Sequence, residues 1–405
     1  MITNKDIIIV GLQPWDHKIG SNCKNLAKEF SKKNRVLYVN NPLNRLDRYK
    51  KKNQDFVINY EEVIKGTQPS LRKVGKSIWT LYPKKIIESI NKLPHNFLYA
   101  FLNKRNSKIF SDEIKRALIE IDFENYILFN DSLMFTGLYL PQLLSPIASI
   151  YYIRDNLVSQ DYFRKHGVET EPLLSRKYDA IAANSDFLAD YLRPHNSNSF
   201  MVGQGCDFTI FNLQNISNEE PEAISDIPHP RVGYIGFLSS VRLDIGLIKH
   251  IALSKPKYSI ILIGPEDKIF KESDLHSIQN VYFLGNQKEH DLPLFINSID
   301  VAINPQAIND LTIGNYPRKI DEYLALGKPV VATKTKTMDY FKDFVYLANN
   351  KDETVNLIEK ALNDNNNKLA IERIKFAKSH TWENSANKIY EIVNEVLIRK
   401  GKTVH

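Results

Sequence analysis

Asn315-Tyr316-Pro317-Arg318-Lys319-Ile320-Asp321-Glu322-Tyr323-Leu324-Ala325-Leu326-Gly327-Lys328-Pro329-Val330-Val331-Ala332 reads as a loop, a helix, a glycine stop and a buried strand. Arg318 and Lys319 open the helix, and Glu322 stands about one turn into it. Free N–H groups at a helix start, with Lys319 beside them, suit phosphate oxygens. A carboxylate one turn later can accept hydrogen bonds from ribose hydroxyls. The stretch therefore outlines a nucleotide-sugar site. The same pattern also ends ordinary α/β helices before a parallel strand, so its place in the whole chain matters.

Around it lies a regular α/β alternation. Strands are expected at Arg231–Ile235, Tyr258–Ile263, Val281–Leu284, Asp300–Ile303 and Pro329–Ala332, with helices near Asp244–Leu253, Glu289–Asn297 and Arg318–Leu326. Residues 212–230, rich in Asn, Glu, Ser and Pro, read as a linker. Before it, Ile7–Gly11, a helix over Asn22–Lys33 and Val36–Val39 make a βαβ opening. Further strands end at Asn130-Asp131, at Arg154-Asp155-Asn156 and at Asn184-Ser185. Polar residues just past each strand are what a ligand crevice in an open α/β sheet requires. The loop after the first strand carries Trp15, Asp16, His17, Gly20 and Ser21, without the G-x-G-x-x-G spacing of a dinucleotide site. A nicotinamide oxidoreductase is disfavoured on that ground. Trp382 to Arg399 reads as a long amphipathic helix.

A length of 405 residues favours two domains, and 43% hydrophobic with 25% charged residues is an ordinary globular composition. Cys23 and Cys206 form neither a disulfide framework nor a metal-ligand spacing, which points to a reducing compartment. The apolar run Ile7–Val10 is too short for a signal-peptide core, and no run approaches the ~20 apolar residues of a membrane span. The net charge of +7 is uneven: residues 1–205 hold 30 Lys/Arg against 21 Asp/Glu, and residues 206–405 hold 24 against 26. Eight cations stand between Ser31 and Lys52, and Arg72, Lys73, Lys76, Lys84 and Lys85 form an acid-free run. Such a surface attracts an anionic membrane, a lipid diphosphate or a nucleic acid, or it is a solvated face. Nucleic acid is not an expected partner. Ile78 to Phe101 interleaves Trp79, Tyr82, Phe97, Tyr99 and Phe101 with lysines. That suits either the core face of helices or an interfacial membrane segment.

Several stretches resemble GT-B glycosyltransferases that build bacterial surface polysaccharides. Ile7 to Gly11 with Gln13, Pro14, Trp15 and Asp16, followed by Arg35 to Asn40, resembles their N-terminus. Asp179-Ala180-Ile181-Ala182-Ala183-Asn184-Ser185, then Gly205-Cys206-Asp207 and Phe211, resembles the pattern A-D-x-V-x-x-x-S, N-G-V-D, F. Arg231 to Gly236 opens the second half as in that family, and Asn315 to Val331 is similar to P-x-K-x-x-E-Y-L-A-x-G-K-P-V-V. The resemblance implies two Rossmann-like domains facing a central cleft: an acceptor domain at 1–212 and a nucleotide-sugar domain at 213–380. A C-terminal helix at 381–405 would pack back towards the first.

The resemblance also implies roles. Lys319 would contact the diphosphate, Glu322 the ribose, and Gly236 would let backbone approach the phosphates. Tyr316 and Pro317 would shape the wall near the sugar or base. The chain departs from the pattern at three places. The first of two family glutamates is Gly314, the G-R-L triplet is Gly236-Phe237-Leu238 with only Arg242 to replace the charge, and an expected His-Asp pair is Arg154-Asp155. The resemblance therefore leaves inverting and retaining stereochemistry both open. By its likeness to a glucuronosyltransferase-like subgroup, Asp155 is the candidate base; a loop carboxylate or N-cap is the other reading of it. Arg154 either meets acceptor phosphate or pairs with Asp155, and Trp15, Asp16 and His17 are candidate acceptor contacts. His17 and His166 are weaker candidates, since a lone loop histidine is usually just exposed.

The expected function is transfer of a sugar from a nucleoside diphosphate sugar to a glycan or polyprenyl-diphosphate-linked acceptor. The expected setting is cytoplasmic, at the inner face of the membrane. No metal or other cofactor is expected, because cations and a helix start can hold the departing diphosphate. The alternatives are a nucleotide-sugar epimerase or phosphorylase and a non-catalytic nucleotide-sugar-binding partner. A carboxylate–histidine pair facing Glu322 would favour the first of these.

Overall fold

The computed structural model describes residues 2–17, 21–51, 54–94, 97–217 and 219–402. Gly20 of the first loop and Lys52 of the basic run lie outside them. The chain divides into two compact units, residues 1–203 with 385–405, and residues 204–384.

The first unit is built on β1 (Asp6–Gly11), β2 (Arg35–Asn40), β3 (Leu71–Lys73), β4 (Ile78–Leu81), β5 (Ile127–Asp131), β6 (Ala148–Ile153), β7 (Ala180–Ala183) and β8 (Ser199–Met201). Their order is β3-β4-β2-β1-β5-β6-β7-β8, parallel throughout except for the β3–β4 pair. All six residues of β1 and of β6 are buried, as near-continuous apolar strands covered on both faces should be. The chain leaves β1 for β2 on one side and later returns to pair β5 on the other. That makes β1/β5 the point where ligands bind in such sheets. Gly11 and Asp131 are register partners there.

The stretch 41–125, hardest to read from sequence, holds the Asp55–Lys65 helix, β3, β4 and a 24-residue helix, Phe97–Glu120. The aromatic stripe divides between its two readings. Ile78, Leu81, Tyr82 and Tyr99 are core, whereas Phe97 is 84% and Phe101 63% exposed. From Ser385 onward the Trp382–Arg399 helix belongs to this unit. Asn34 Nδ2 donates to Tyr390 Oη at 3.0 Å, and the Tyr390 ring lies 5.4 Å from Phe30.

The second unit holds β9 (Arg231–Ile235), β10 (Ser259–Ile263), β11 (Val281–Gly285), β12 (Val301–Asn304), β13 (Val330–Thr333) and β14 (Tyr346–Ala348). The order is β11-β10-β9-β12-β13-β14, all parallel, with the switch between β9 and β12. Residues 204–217 and 219–230 pack into this unit and are not a free linker. Cys206 N donates to His380 O, and buried Arg231 binds Glu220 Oε1 at 2.7 Å and the Ile227 carbonyl at 2.7 Å. The Arg318–Ala325 helix ends as its glycine suggests. Gly327 N bonds Leu324 O at 2.9 Å and Lys328 N bonds Tyr323 O at 3.0 Å, the paired bonds of a Schellman stop.

Candidate active site

Three features meet at the carboxyl ends of β9 and β10. Gly236 follows β9 at φ +148° and Gly264 follows β10 at φ +140°. A Cβ on Gly264 would lie 2.0 Å from Gly236 O, and a Cβ on Gly236 would lie 1.9 Å from Lys319 Cε. Only glycine tolerates both the φ and the contact. The role expected of Gly236 therefore changes in one respect: its missing side chain makes room for the Lys319 stem. Lys319 Nζ lies 5.4 Å from the centre of the Tyr234 ring, held over its face. No side chain caps the Arg318–Ala325 helix, which starts after Pro317. Arg242 lies in the turn beyond Gly236, with its carbonyl accepting from Ala307 N after β12.

Glu322 is 9% exposed and forms an i,i+4 ion pair with Arg318 Nε at 2.9 Å in the first turns of the helix. The neighbouring acid, Asp321, was given no role in the sequence reading and is fully buried. Tyr316 Oη donates to its Oδ2 at 2.9 Å, and His380 Nδ1 meets its Oδ1 at 2.9 Å. Tyr340 Oη lies 2.9 Å from His380 Nε2. Burial pushes the Asp321 carboxyl up, with His380 and Tyr316 opposing it. Tyr316 is 3% exposed and packs against Phe341 at 5.1 Å. It supports the helix from beneath, which corrects the expectation that it forms a ligand wall. Asp321–His380 is a carboxylate–histidine pair close to Glu322, but at 0% and 8% side-chain exposure it is closed to a substrate.

In the first unit the polar strand ends also converge. Arg154 Nε binds Asp131 Oδ1 at 2.9 Å, while its Nη1 is 3.9 Å from Asp155 Oδ2. Asp131 is fully buried and its Oδ2 has no hydrogen-bond partner. Burial alone would lower the Arg154 pKa, but Asp131 and Asp155 hold it well above the ordinary range. Arg154 therefore pairs first with Asp131, a partner the sequence reading did not name. Asp155 keeps a side chain 19% exposed beside this cation.

The first-loop candidates lie together at the ends of β1 and β2. Trp15 N donates to Asn40 Oδ1 at 2.7 Å, and its ring lies 5.1 Å from Tyr38. Tyr82 Oη bonds Asp16 Oδ2, and Arg72 stands 3.9 Å from the same carboxylate. His17 is exposed and its Nδ1 lies 2.9 Å from Gln13 Nε2. His166 is not an exposed loop residue. It is fully buried in the Asp161–Lys177 helix and stacks on Tyr99 at 3.9 Å. Among the described residues no group of three or more His, Cys, Asp or Glu has a metal-holding arrangement.

Comparison with known proteins bears on the fold and on the second unit. Residues 230–380 match the family described as Glycosyl transferases group 1. A Bacillus subtilis (strain 168) protein assigned as a teichuronic acid biosynthesis glycosyltransferase, TuaH, is 28% identical over 246 residues, which cover 56% of this chain. The match spans 60% of that relative's length. Among solved structures, sucrose-phosphate synthase from Thermosynechococcus elongatus superimposes with a TM-score of 0.66 at 14% identity, covering 98% of this chain and 100% of that one. Anabaena Alr3699/HepE in complex with UDP and glucose gives 0.63 at 14% identity, covering 97% and 100%. Trehalose 6-phosphate synthase from Burkholderia multivorans gives 0.69 at 9%, covering 98% and 100%. The fold is that of GT-B glycosyltransferases, and residues 230–380, within the second unit, match the group 1 glycosyl transferase model.

Proposed function

We propose that this chain, whose residues 230–380 match the group 1 glycosyl transferase model, transfers a sugar from a nucleoside diphosphate sugar to a glycan or polyprenyl-diphosphate-linked acceptor in surface polysaccharide biosynthesis. The observation that carries the reading is the convergence of Gly236, Gly264, Lys319 and Glu322 at the strand ends of one unit. Lys319, Arg242 and the uncapped helix start would take the diphosphate charge. A fixed cation and backbone donors stabilise a leaving diphosphate best because they need not reorganise during reaction. Glu322 would accept from the ribose hydroxyls, with Arg318 holding its second oxygen in place. Asp155 would draw the proton from the acceptor hydroxyl, with Arg154 standing beside it.

The acceptor end of the reading places the first unit against an anionic membrane at the inner face. Phe97 and Phe101 are exposed at the start of their helix, with Lys92, Lys104 and Arg105 near them in sequence. Aromatic anchors with cationic flanks suit a lipid interface. Among the described residues no helix is long and apolar enough to cross a membrane. The test is transfer itself. Mass spectrometry of a polyprenyl-diphosphate-linked glycan incubated with the full chain and a panel of nucleotide sugars should show a one-sugar gain with one donor. Sugar-nucleotide interconversion with no gain on the acceptor would replace transfer by epimerisation.

A further inference from the structure

Beside the strand ends of the first unit lies a cavity of about 270 Å³, built entirely from that unit. That is just under the roughly 300–1,000 Å³ of pockets that enclose drug-sized ligands, room for one pyranose ring and not for two. Its floor is apolar: Leu133 and Met134 after β5, with Ile87 and Ile90 across from them, are 8% exposed or less. Its rim carries Tyr162, 59% exposed on the Asp161–Lys177 helix.

Asparagines are prominent among the polar residues that line this cavity, and one of them, Asn103, has an unsatisfied oxygen. Asn103 is 1% exposed; its Nδ2 donates to Phe135 O at 3.2 Å and its Oδ1 is buried without a hydrogen-bond partner. Turning the amide over would set Oδ1 against the Phe135 carbonyl, so the orientation is fixed. A buried oxygen left in this state costs stability unless a donor reaches it. Asn41 offers the complement. Its Oδ1 already accepts from Thr136 Oγ1 at 3.0 Å, which leaves its amide nitrogen for a ligand. A sugar hydroxyl can donate to Asn103 and accept from Asn41.

The wall between them is fixed in advance. Asn106 binds both the N–H and the carbonyl of Glu88, at 3.0 and 2.9 Å, and Asn44 Oδ1 accepts from Ser89 Oγ at 2.8 Å. The acids that line the cavity are neutralised outside it, Glu88 by Arg45 at 2.9 Å and Asp47 by Lys51 at 2.9 Å. The one cation among the lining residues, Lys92, is exposed at the rim, so a carboxylate carried into the cavity would meet the lone Asn103 oxygen with no buried cation to pair it. We infer that the cavity takes a single uncharged sugar residue of the acceptor, its hydroxyls on Asn103 and Asn41 and its C–H face on Tyr162. The word acceptor rests on the glycosyltransferase reading; the binding of a neutral sugar does not.

The test is ligand-observed saturation-transfer NMR on the full chain, with methyl β-glucoside, methyl β-N-acetylglucosaminide and methyl β-glucuronide as probes. UDP, GDP, CDP, ADP and dTDP stabilisation is read on the same samples. A neutral glycoside should give saturation transfer and the glucuronide should not. Tyr162→Ala should weaken that binding by about tenfold, and Asn103→Leu should abolish it. Tyr162 is exposed, its ring meets Phe163 edge-on at 5.0 Å, and its carbonyl accepts from Asn91 Nδ2, a bond that truncating the side chain keeps, so folding should survive the change. Both variants should keep the wild-type nucleotide shift. Equal binding of the glucuronide, no binding of any probe, or a neutral signal that survives Tyr162→Ala would overturn the inference. Loss of the nucleotide shift in the wild type would instead count against the glycosyltransferase reading.

Discussion

Asp321 Oδ1 and His380 Nδ1 lie 2.9 Å apart across 59 residues of sequence. This pair ties the helix that carries Lys319 and Glu322 to the segment just before the Trp382–Arg399 helix. Removing one partner of a buried pair leaves the other uncompensated, which costs about 3–5 kcal/mol. Asp321→Ala should therefore lower the denaturation midpoint sharply. Glu322→Ala breaks an i,i+4 pair whose Arg318 is a third exposed and stays in water, a loss of about 1 kcal/mol or less. Urea melts of the two variants should differ accordingly, and equal midpoints would contradict the division into a support and a ligand face.

Asp155→Asn should cut transfer by roughly 10²–10⁴-fold, the usual worth of a general base. Nucleotide affinity should barely move, because the donor residues stand in the other unit. A variant with wild-type turnover would remove Asp155 from the chemistry.

Glu171 sets a pH dependence of stability. It is fully buried in the first unit, accepting from Tyr151 Oη at 2.9 Å and Tyr191 Oη at 3.3 Å. Burial pushes its carboxyl up to about 7, against the lowering effect of the two tyrosines. A folded pKa above the unfolded value means that the folded state holds the proton more tightly. Its contribution is therefore complete below about pH 4.3 and is lost as the pH rises towards about 7. The change is on the order of 3 kcal/mol. Glu171→Gln mimics the protonated acid and should flatten this slope. In thermal melts at pH 5 and pH 8 it should gain on the wild type at the higher pH; a parallel shift at both would contradict the assignment.

Phe97→Ser combined with Phe101→Ser should lower binding to phosphatidylglycerol vesicles by about a hundredfold or more, since each ring contributes roughly 1.5–3 kcal/mol when buried in lipid. Both side chains are exposed, so the fold should be unaffected. Co-sedimentation unchanged from wild type would remove this helix start from the membrane contact.

The sheet strands could be read from the sequence because their apolar runs are nearly unbroken, as in Asp6–Gly11 and Arg231–Ile235. The Arg318–Ala325 helix was equally clear, with Ile320, Tyr323 and Leu324 on one buried face and Gly327 after it. The Phe97–Glu120 helix was obscure for a physical reason. Its buried face includes Asn103, Asn106, Ser107, Ser111 and Glu113, so polar residues occupy positions where periodicity demands apolar ones. Some of these brace the cavity, which is why they resist a pattern-based reading. Gly264 had a signal that passed unused, since Ile263-Gly264 repeats Ile235-Gly236 at the end of the next strand. His380 had none. Its partner Asp321 is distant in sequence, and only the folded second unit brings the two together.

The central claim is a nucleoside diphosphate site at the Lys319–Glu322 helix start. The most direct test is thermal stabilisation of the full chain by UDP, GDP, CDP, ADP, dTDP and NAD. A ligand at about 100 times its Kd adds roughly 2.7 kcal/mol of apparent stability. The account predicts a selective shift with one nucleoside diphosphate, much reduced in Lys319→Ala and Glu322→Ala. No shift with any of them, or a shift with NAD alone, would contradict it.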